Sequence, residues 1–326
     1  MKNNVFVVVL LVASAVLMTG GIVKKVMLMR KGAEKKCVIA VIPKGTINMW
    51  WEVVHKGAAK AAEEERVDIT WSGPEVETDR ERQIQAVEDA IVEKVSAVVI
   101  GPNDFKALVR PIEKVKELGI PCVVIDSMAD TRNYDSFAGT DNFAGGAEAA
   151  RLIGRALDGH GKALIVLFVQ NSASTDARAA GFRETLRNEF PGIQIVAEQY
   201  TLGTVDDARQ KAVDLLTRFP DVDAVFAVNH PSSVGTYKAI SNQKTDKKIA
   251  FVGFDSDPVL LEGIEKGDVL AVIAQNPFEI GYVGVKTAAR ILKGAKVDPE
   301  ILVPSMIVQK DNLEEMKKKY PEALGL

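Results

Sequence analysis

From Val38 onward the chain repeats one unit: a short, β-branched apolar run, a turn rich in Gly, Pro, Asn or Asp, then a stretch with helical periodicity. The apolar runs are VIAVI (38–42), VDIT (67–70), AVVI (97–100), CVVI (122–125), ALIVLFV (163–169), IQIVAEQ (193–199), AVFAV (224–228), IAFVGF (249–254) and VLAVIA (269–274). Helices are predicted over 51–65, 79–94, 104–118, 142–157, 178–190, 205–218, 232–241, 258–266 and 280–292. Several runs lack the polar alternation of a half-exposed strand, so both faces of each sheet must be covered. The pattern predicts an α/β protein of two doubly wound, parallel-sheet, Rossmann-like lobes.

Ahead of this body lies a different segment. After Met1-Lys2-Asn3-Asn4, residues 5–23 read VFVVVLLVASAVLMTGGIV, roughly the length that spans a bilayer. It reads as an export signal or an N-terminal membrane anchor and not as part of the fold. Ala13-Ser14-Ala15 offers a cleavage site, but the apolar run continues past it and Cys37 lacks the preceding Leu-x-x of a lipoprotein signal, so both readings stay open. Lys24, Lys25, Arg30 and Lys31 follow the span and favour the cytoplasmic side, against export. Export is the expectation because the remaining chain looks like a soluble receptor.

Charge sharpens the picture. Residues 1–36 carry seven Lys or Arg and one Glu, whereas the whole chain is at −3, so the body is acidic at about −9. Sequence-independent nucleic-acid binding draws its affinity from neutralising phosphates, and an acidic body does not supply that. Cys37 and Cys122 both open apolar runs and read as small buried hydrophobes. His55, His160 and His230 lie far apart without ligand spacing, so no metal is expected.

In doubly wound sheets ligands meet the loops at the carboxyl ends of the strands. Those loops hold Lys44-Gly45-Thr46-Ile47-Asn48-Met49-Trp50-Trp51, Gly101-Pro102-Asn103-Asp104, Asp126-Ser127, Gln170-Asn171, Asn229-His230, Asp255-Ser256 and Gln275-Asn276. Asn, Gln, Asp and Arg supply planar paired donors and acceptors, as a polyhydroxylated molecule requires, because each hydroxyl both gives and accepts. Trp50 and Trp51 offer faces for the apolar side of a sugar ring, although adjacent tryptophans at a helix start also serve as core. No G-x-G-x-x-G or G-x-x-x-x-G-K-[ST] follows any strand, and no G-x-S-x-G precedes an acid and a His. Neither an enzyme nor a bound cofactor is expected.

The strand-end residues resemble the ribose-binding type of sugar-binding protein of bacterial ABC importers, whose type I periplasmic-binding-protein fold is shared with the ligand-binding cores of lactose-repressor-type regulators. The resemblance covers residues 37 to about 310. It rests on Asn48-Met49-Trp50-Trp51, Ala138-Gly139-Thr140-Asp141-Asn142 before Gly145-Gly146, Asp176-Ala177-Arg178 leading to Gly181-Phe182, the run from Phe219 to Asn229, Val252-Gly253-Phe254-Asp255, and Ile273-Ala274-Gln275-Asn276-Pro277. It implies sugar contacts at Asn48, Trp50, Trp51, Asp126, Arg178, Asn229, Asp255 and Gln275. The tryptophans would stack on the ring, Arg178 would donate as a fork, Asp126 and Asp255 would accept from hydroxyls, and the amides would bridge the rest. The chain departs from the family pattern at Gly101, where an Asn is usual, and at Ser127, where an Arg is usual; the Trp pair replaces phenylalanines. These departures leave ribose in doubt and another pentose, a hexose or a modified sugar open.

The resemblance further implies an N-terminal lobe of residues 37–139 plus 276–304 and a C-terminal lobe of 140–275 plus 305–326. The chain would cross between them near Gly139-Thr140, Gln275-Asn276 and Val303-Pro304, and hinge closure would be the working motion. The expected partners are a monosaccharide or related polyol and an ABC permease, with the protein monomeric and exported to the periplasm or the outer face of the cytoplasmic membrane. A sensory role, presenting occupancy to a membrane kinase or chemoreceptor, is the alternative. A DNA-binding regulator would need a helix-turn-helix before the first strand, where the apolar segment stands instead.

Overall fold

The computed structural model describes residues 37–243 and 247–326. The expectations for residues 1–36, signal or anchor, lie outside the described residues. Among those described, no helix is long and apolar enough to cross a membrane.

The first sheet contains β1 (Val38–Ile42), β2 (Asp68–Trp71), β3 (Ala97–Ile100), β4 (Cys122–Ile125), β5 (Ser136–Gly139) and β11 (Glu300–Leu302), in the order β11-β5-β4-β3-β1-β2, all parallel. The second contains β6 (His160–Val166), β7 (Gly192–Gln199), β8 (Ala224–Ala227), β9 (Ala250–Phe254), β10 (Ala271–Ala274) and β12 (Met306–Val308), in the order β12-β10-β9-β8-β6-β7. Only the edge strand β12 runs antiparallel, against β10. The two orders are the same path followed twice, and the chain passes between sheets after β5, after β10 and after β11. In each sheet the order reverses between the first and third strands, which opens a crevice at their carboxyl ends.

The helices are α1 (Met49–Glu65), α2 (Arg80–Val92), α3 (Val109–Glu117), α4 (Asn142–Ala156), α5 (Ala173–Glu189), α6 (Val205–Arg218), α7 (His230–Ser241), α8 (Pro258–Lys266), α9 (Pro277–Leu292) and α10 (Leu313–Lys319). Apolar strands put alternate residues on opposite faces. Ile39, Val41, Val99 and Val123 join one core cluster, while Ala40, Ile42, Val98 and Val124 join another. The second sheet divides in the same way, with Leu164 and Val166 on one side and Ala163 and Ile165 on the other. Each fully buried Val, Leu or Ile stabilises the fold by about 1.5–3 kcal/mol relative to exposure.

Three boundaries differ from the sequence reading for physical reasons. Helix α3 starts at Val109 rather than near 104, because Asp104 Oδ1 accepts from the backbone N–H of Lys106 (2.9 Å) and Ala107 (2.8 Å) and holds that stretch as a turn. Helix α5 starts at Ala173, five residues before the expected 178, so Arg178 sits inside the helix and not at its start. Strands β5, β11 and β12 are only three or four residues long and the last two are half-exposed, so they carry no apolar run to read.

Backbone contact between α4 and α5 fixes Arg178. A Cβ on Gly146 would lie 1.8 Å from the Arg178 carbonyl oxygen, and one on Gly181 would lie 2.0 Å from that of Phe143. Only glycine lets the two helices approach this closely.

Candidate ligand-binding site

The strand ends of both sheets converge on one cavity of about 350 Å³ between the lobes. All eight residues singled out from sequence line it: Asn48 and Asp126 from the first sheet's loops with Trp50 and Trp51 from the first turn of α1, and Asn229, Asp255 and Gln275 from the second sheet's loops with Arg178 from within α5. The lobes touch directly around it. Ser127 Oγ donates to Ser174 Oγ (2.8 Å), and the Phe105 N–H donates to the Asn171 carbonyl (2.8 Å).

Asp126 and Asp255 occupy matching places, one residue past β4 and past β9. Both adopt left-handed backbone, at φ 61° and 66°. Aspartate tolerates that region better than most residues, and such conformations concentrate at functional sites. Each is buried and each has a cation. Lys44 Nζ lies 2.6 Å from Asp126 Oδ2, and Arg178 Nη1 lies 3.6 Å from Asp255 Oδ2. Asp255 also accepts from the His230 N–H (3.0 Å) and from Gln275 Nε2 (2.8 Å).

Arg178 is 2% exposed. Its Nε donates to Asn142 Oδ1 (2.8 Å), its Nη1 to the Val228 carbonyl (2.9 Å), and its guanidinium lies 3.7 Å from the Phe254 ring centre. Burial lowers its pKa from the ordinary guanidinium value, against the pull of Asp255, Asp126 and Glu77, yet an arginine stays charged. Two of the five N–H groups of the expected fork are therefore committed to the protein.

The tryptophans differ in duty. Trp51 is 1% exposed, belongs to the first lobe's core and meets Trp50 edge-on at 4.8 Å, so it is a wall that is also core. Its indole N–H donates to Glu77 Oε1 (3.0 Å). Trp50 is half-buried, and its Nε1 has no partner among the described residues. Asn48 and Asn229 cap helices: the Asn48 Oδ1 accepts from the Trp50 N–H (2.9 Å) and the Asn229 Oδ1 from the Ser232 N–H (3.4 Å). The Asn48 Nδ2 donates in turn to Glu77 Oε1 (3.4 Å).

Sequence reasoning passed over Lys44, Glu77, Ser172, Ser174 and Thr175, which also line the cavity. Lys44 is 4% exposed and spends its three protons on Asp126, Ser127 Oγ (2.5 Å) and Ser174 Oγ (3.3 Å). The signal for it was a lysine two residues past a fully apolar strand, followed by glycine. Glu77 lies in an acidic loop that reads as solvated, yet burial pushes its carboxyl above the usual range, with Lys44 pulling the other way and Asp126 adding to the rise. Two departures from the family pattern also find partners. A Cβ on Gly101 would lie 2.7 Å from Trp51 Cη2, so the larger indole fills that space, and Ser127 is engaged by Lys44.

Trp50 Nε1, Gln275 Oε1 and Ser172 Oγ are buried without a hydrogen-bond partner among the described residues. All three residues line the cavity. A buried polar atom left unpaired is costly, so one donor, one acceptor and one hydroxyl suit a ligand bearing hydroxyls. The described residues hold no His, Cys, Asp and Glu grouping fit for a metal ion.

Known proteins agree with this architecture. A ribose import binding protein of Bacillus subtilis is 29% identical over 277 residues, covering 84% of this chain and 87% of the relative. The D-allose-binding periplasmic protein of Escherichia coli is 29% identical over 272 residues, covering 80% and 86%. Among solved structures, a carbohydrate transporter solute binding protein of Agrobacterium radiobacter, in complex with D-arabinose, superposes with a TM-score of 0.84 at 32% identity, covering 87% of this chain and 98% of that one. Residues 39–296 match the family described as periplasmic binding protein domain, and the chain belongs to that family.

Proposed function

We propose that this protein captures one monosaccharide or related polyol between its two lobes and delivers it to an ABC importer, without catalysing any reaction. The observation that carries the proposal is the cavity itself: two tryptophans, three carboxylates, a guanidinium, an ammonium and three amides from the two opposed lobes surround about 350 Å³. That combination supplies an apolar wall and paired donors and acceptors for a ring with hydroxyls. The relatives that bind ribose, D-allose and D-arabinose support the same reading.

In this reading the tryptophans lie against the ring, the Arg178 Nη2 end donates, and Asp126 and Asp255 accept through the oxygen lone pairs their cations leave free. The lobes open and close about the three crossings, and the closed face is what the permease meets. The protein acts as a monomer outside the cytoplasm, carried there by its apolar residues 5–23.

A thermal-shift screen of the purified protein against pentoses, hexoses and sugar alcohols, including D-ribose, D-allose and D-arabinose, tests the assignment. One sugar should raise the melting temperature by several degrees, and small-angle scattering should register compaction on its addition. Arg178→Ala should weaken binding by about ten- to a hundredfold, as expected for a charge-assisted bond of about 1.5–3 kcal/mol. Silence across the panel, or binding without compaction, would refute it.

A further inference from the structure

A second cavity adjoins the first. It is a cleft open to solvent, with about 1160 Å³ of void space, open solvent included, against about 350 Å³ counted the same way for the inner one, and Glu77 lines both. It too lies between the lobes, with Glu77 and Asn103 on one side and Gln170, Tyr200 and Thr201 on the other. Its walls come from beyond β2 and β7, the sheet edges farthest from the crossing strands β11 and β12, so it occupies the open side of the cleft.

Glu77 is a fixed post between the two spaces. Its Oε1 accepts from Trp51 Nε1 (3.0 Å) and Asn48 Nδ2 (3.4 Å), which orients the carboxyl. Asn103 donates its Nδ2 to the Asp79 carbonyl (3.1 Å), and its Oδ1 is buried with no partner among the described residues. The opposite wall offers the Tyr200 ring and the exposed amide of Gln170, with Leu202 as a lip. Arg80 is spent on Asp104 (2.8 Å), and Lys211 faces a space that also holds the Glu77 carboxyl, so the cavity is not built for an anionic group. An unpaired acceptor, an amide and an aromatic face repeat the chemistry of the first cavity on a larger scale.

We propose that the ligand is a substituted sugar, a glycoside or disaccharide, whose first ring fills the inner cavity and whose substituent passes Glu77 into the outer one. This rests on the monosaccharide reading above and extends it. Calorimetry on the full chain tests it, using whichever panel sugar binds best and the complete set of its mono-O-methyl and mono-O-benzyl derivatives. One position of attachment should be tolerated within about threefold of the parent, while the others lose about tenfold or more. Gln170→Trp, an exposed position that narrows the outer cavity, should weaken the tolerated benzyl derivative by about tenfold and the parent by less than about threefold. Leu202→Trp on the same lip should act likewise, and melting curves establish that both variants fold. Loss of binding at every position of attachment, or equal weakening of parent and derivative in the variants, would overturn this proposal alone. Failure of every sugar, substituted or not, would overturn the monosaccharide reading with it.

Discussion

Replacing Lys44 by Met should impair binding far more than folding. Lys44, Asp126 and Ser127 all come from the first sheet's loops, whereas Ser174 comes from the first turn of α5 on the other lobe. With the lobes together the ion pair is about 5% exposed, and removing one partner of a buried pair costs about 3–5 kcal/mol. With the lobes apart Ser174 withdraws, water reaches the pair, and the same substitution costs about 0–1 kcal/mol, as for an exposed pair. If ligand binding draws the lobes together as proposed, the difference of about 2–5 kcal/mol enters the affinity, a loss of about 30- to 4000-fold in Kd. Calorimetry of Lys44→Met, Asp126→Asn and the double variant measures it. The two losses should be non-additive by at least about 1 kcal/mol, since they remove two halves of one interaction. A Kd within about threefold of wild type for Lys44→Met, or losses that add within about 0.5 kcal/mol, would show that Lys44 neither holds Asp126 nor distinguishes the joined lobes.

Other positions give independent checks. The Glu77 carboxyl has a folded pKa above its unfolded one, so the folded state holds the proton more tightly and loses stability as pH rises from the ordinary carboxylate range through the raised value; Glu77→Gln should therefore gain more in melting temperature at about pH 7 than at about pH 4, and a gain independent of pH would contradict this. Gly101→Ala should destabilise by about 1–3 kcal/mol by forcing Trp51 aside, and Trp51→Phe in the same chain should recover most of that; chemical denaturation of both decides it, and an unaltered midpoint for the single variant rules the clash out. Burial pushes the Cys122 thiol up to about 12, so in a Cys37→Ser chain an aromatic disulfide reagent should find no reactive thiol near pH 8 until denaturant is added, whereas prompt labelling would mean that β4 opens in the native state.

What could be read in the sequence and what could not separates along a physical line. Fully apolar strands announce their own ends, and the fold's rule that ligands meet those ends makes Asn48, Asp126, Asn229, Asp255 and Gln275 one group in the sequence alone. The structure gathers that group around one cavity. Glu77 stayed hidden because it lies six residues beyond β2 in a loop of polar composition, where nothing local marks burial. The bond between Lys44 and Ser174 spans 130 positions and depends on how two lobes meet, which no periodicity encodes. Strands β11 and β12 were missed for the opposite reason: they are too short and too exposed for an apolar signature, and only their pairing with β5 and β10 makes them strands.

The two departures from the family pattern prove to be halves of two local exchanges. Where an asparagine would reach in after β3, the chain has Gly101, and the space is taken by an indole grown from the start of α1, 2.7 Å from where a Cβ would stand. Where an arginine would stand beside Asp126, the chain has Ser127, and a cation arrives instead from Lys44 in the loop after β1. In both cases the lost group is replaced from the β1 loop, so that one segment, residues 44–51, supplies a wall of the cavity, the cation of Asp126 and a contact across the lobes. Concentrating those duties in one loop makes the inner cavity drier on that side, because an indole excludes water that an amide would hold. In the proposed reading, a ring seated against Trp51 presents an apolar face there and directs its hydroxyls toward Asp126 on the same lobe and toward Arg178, Asp255 and Gln275 on the other.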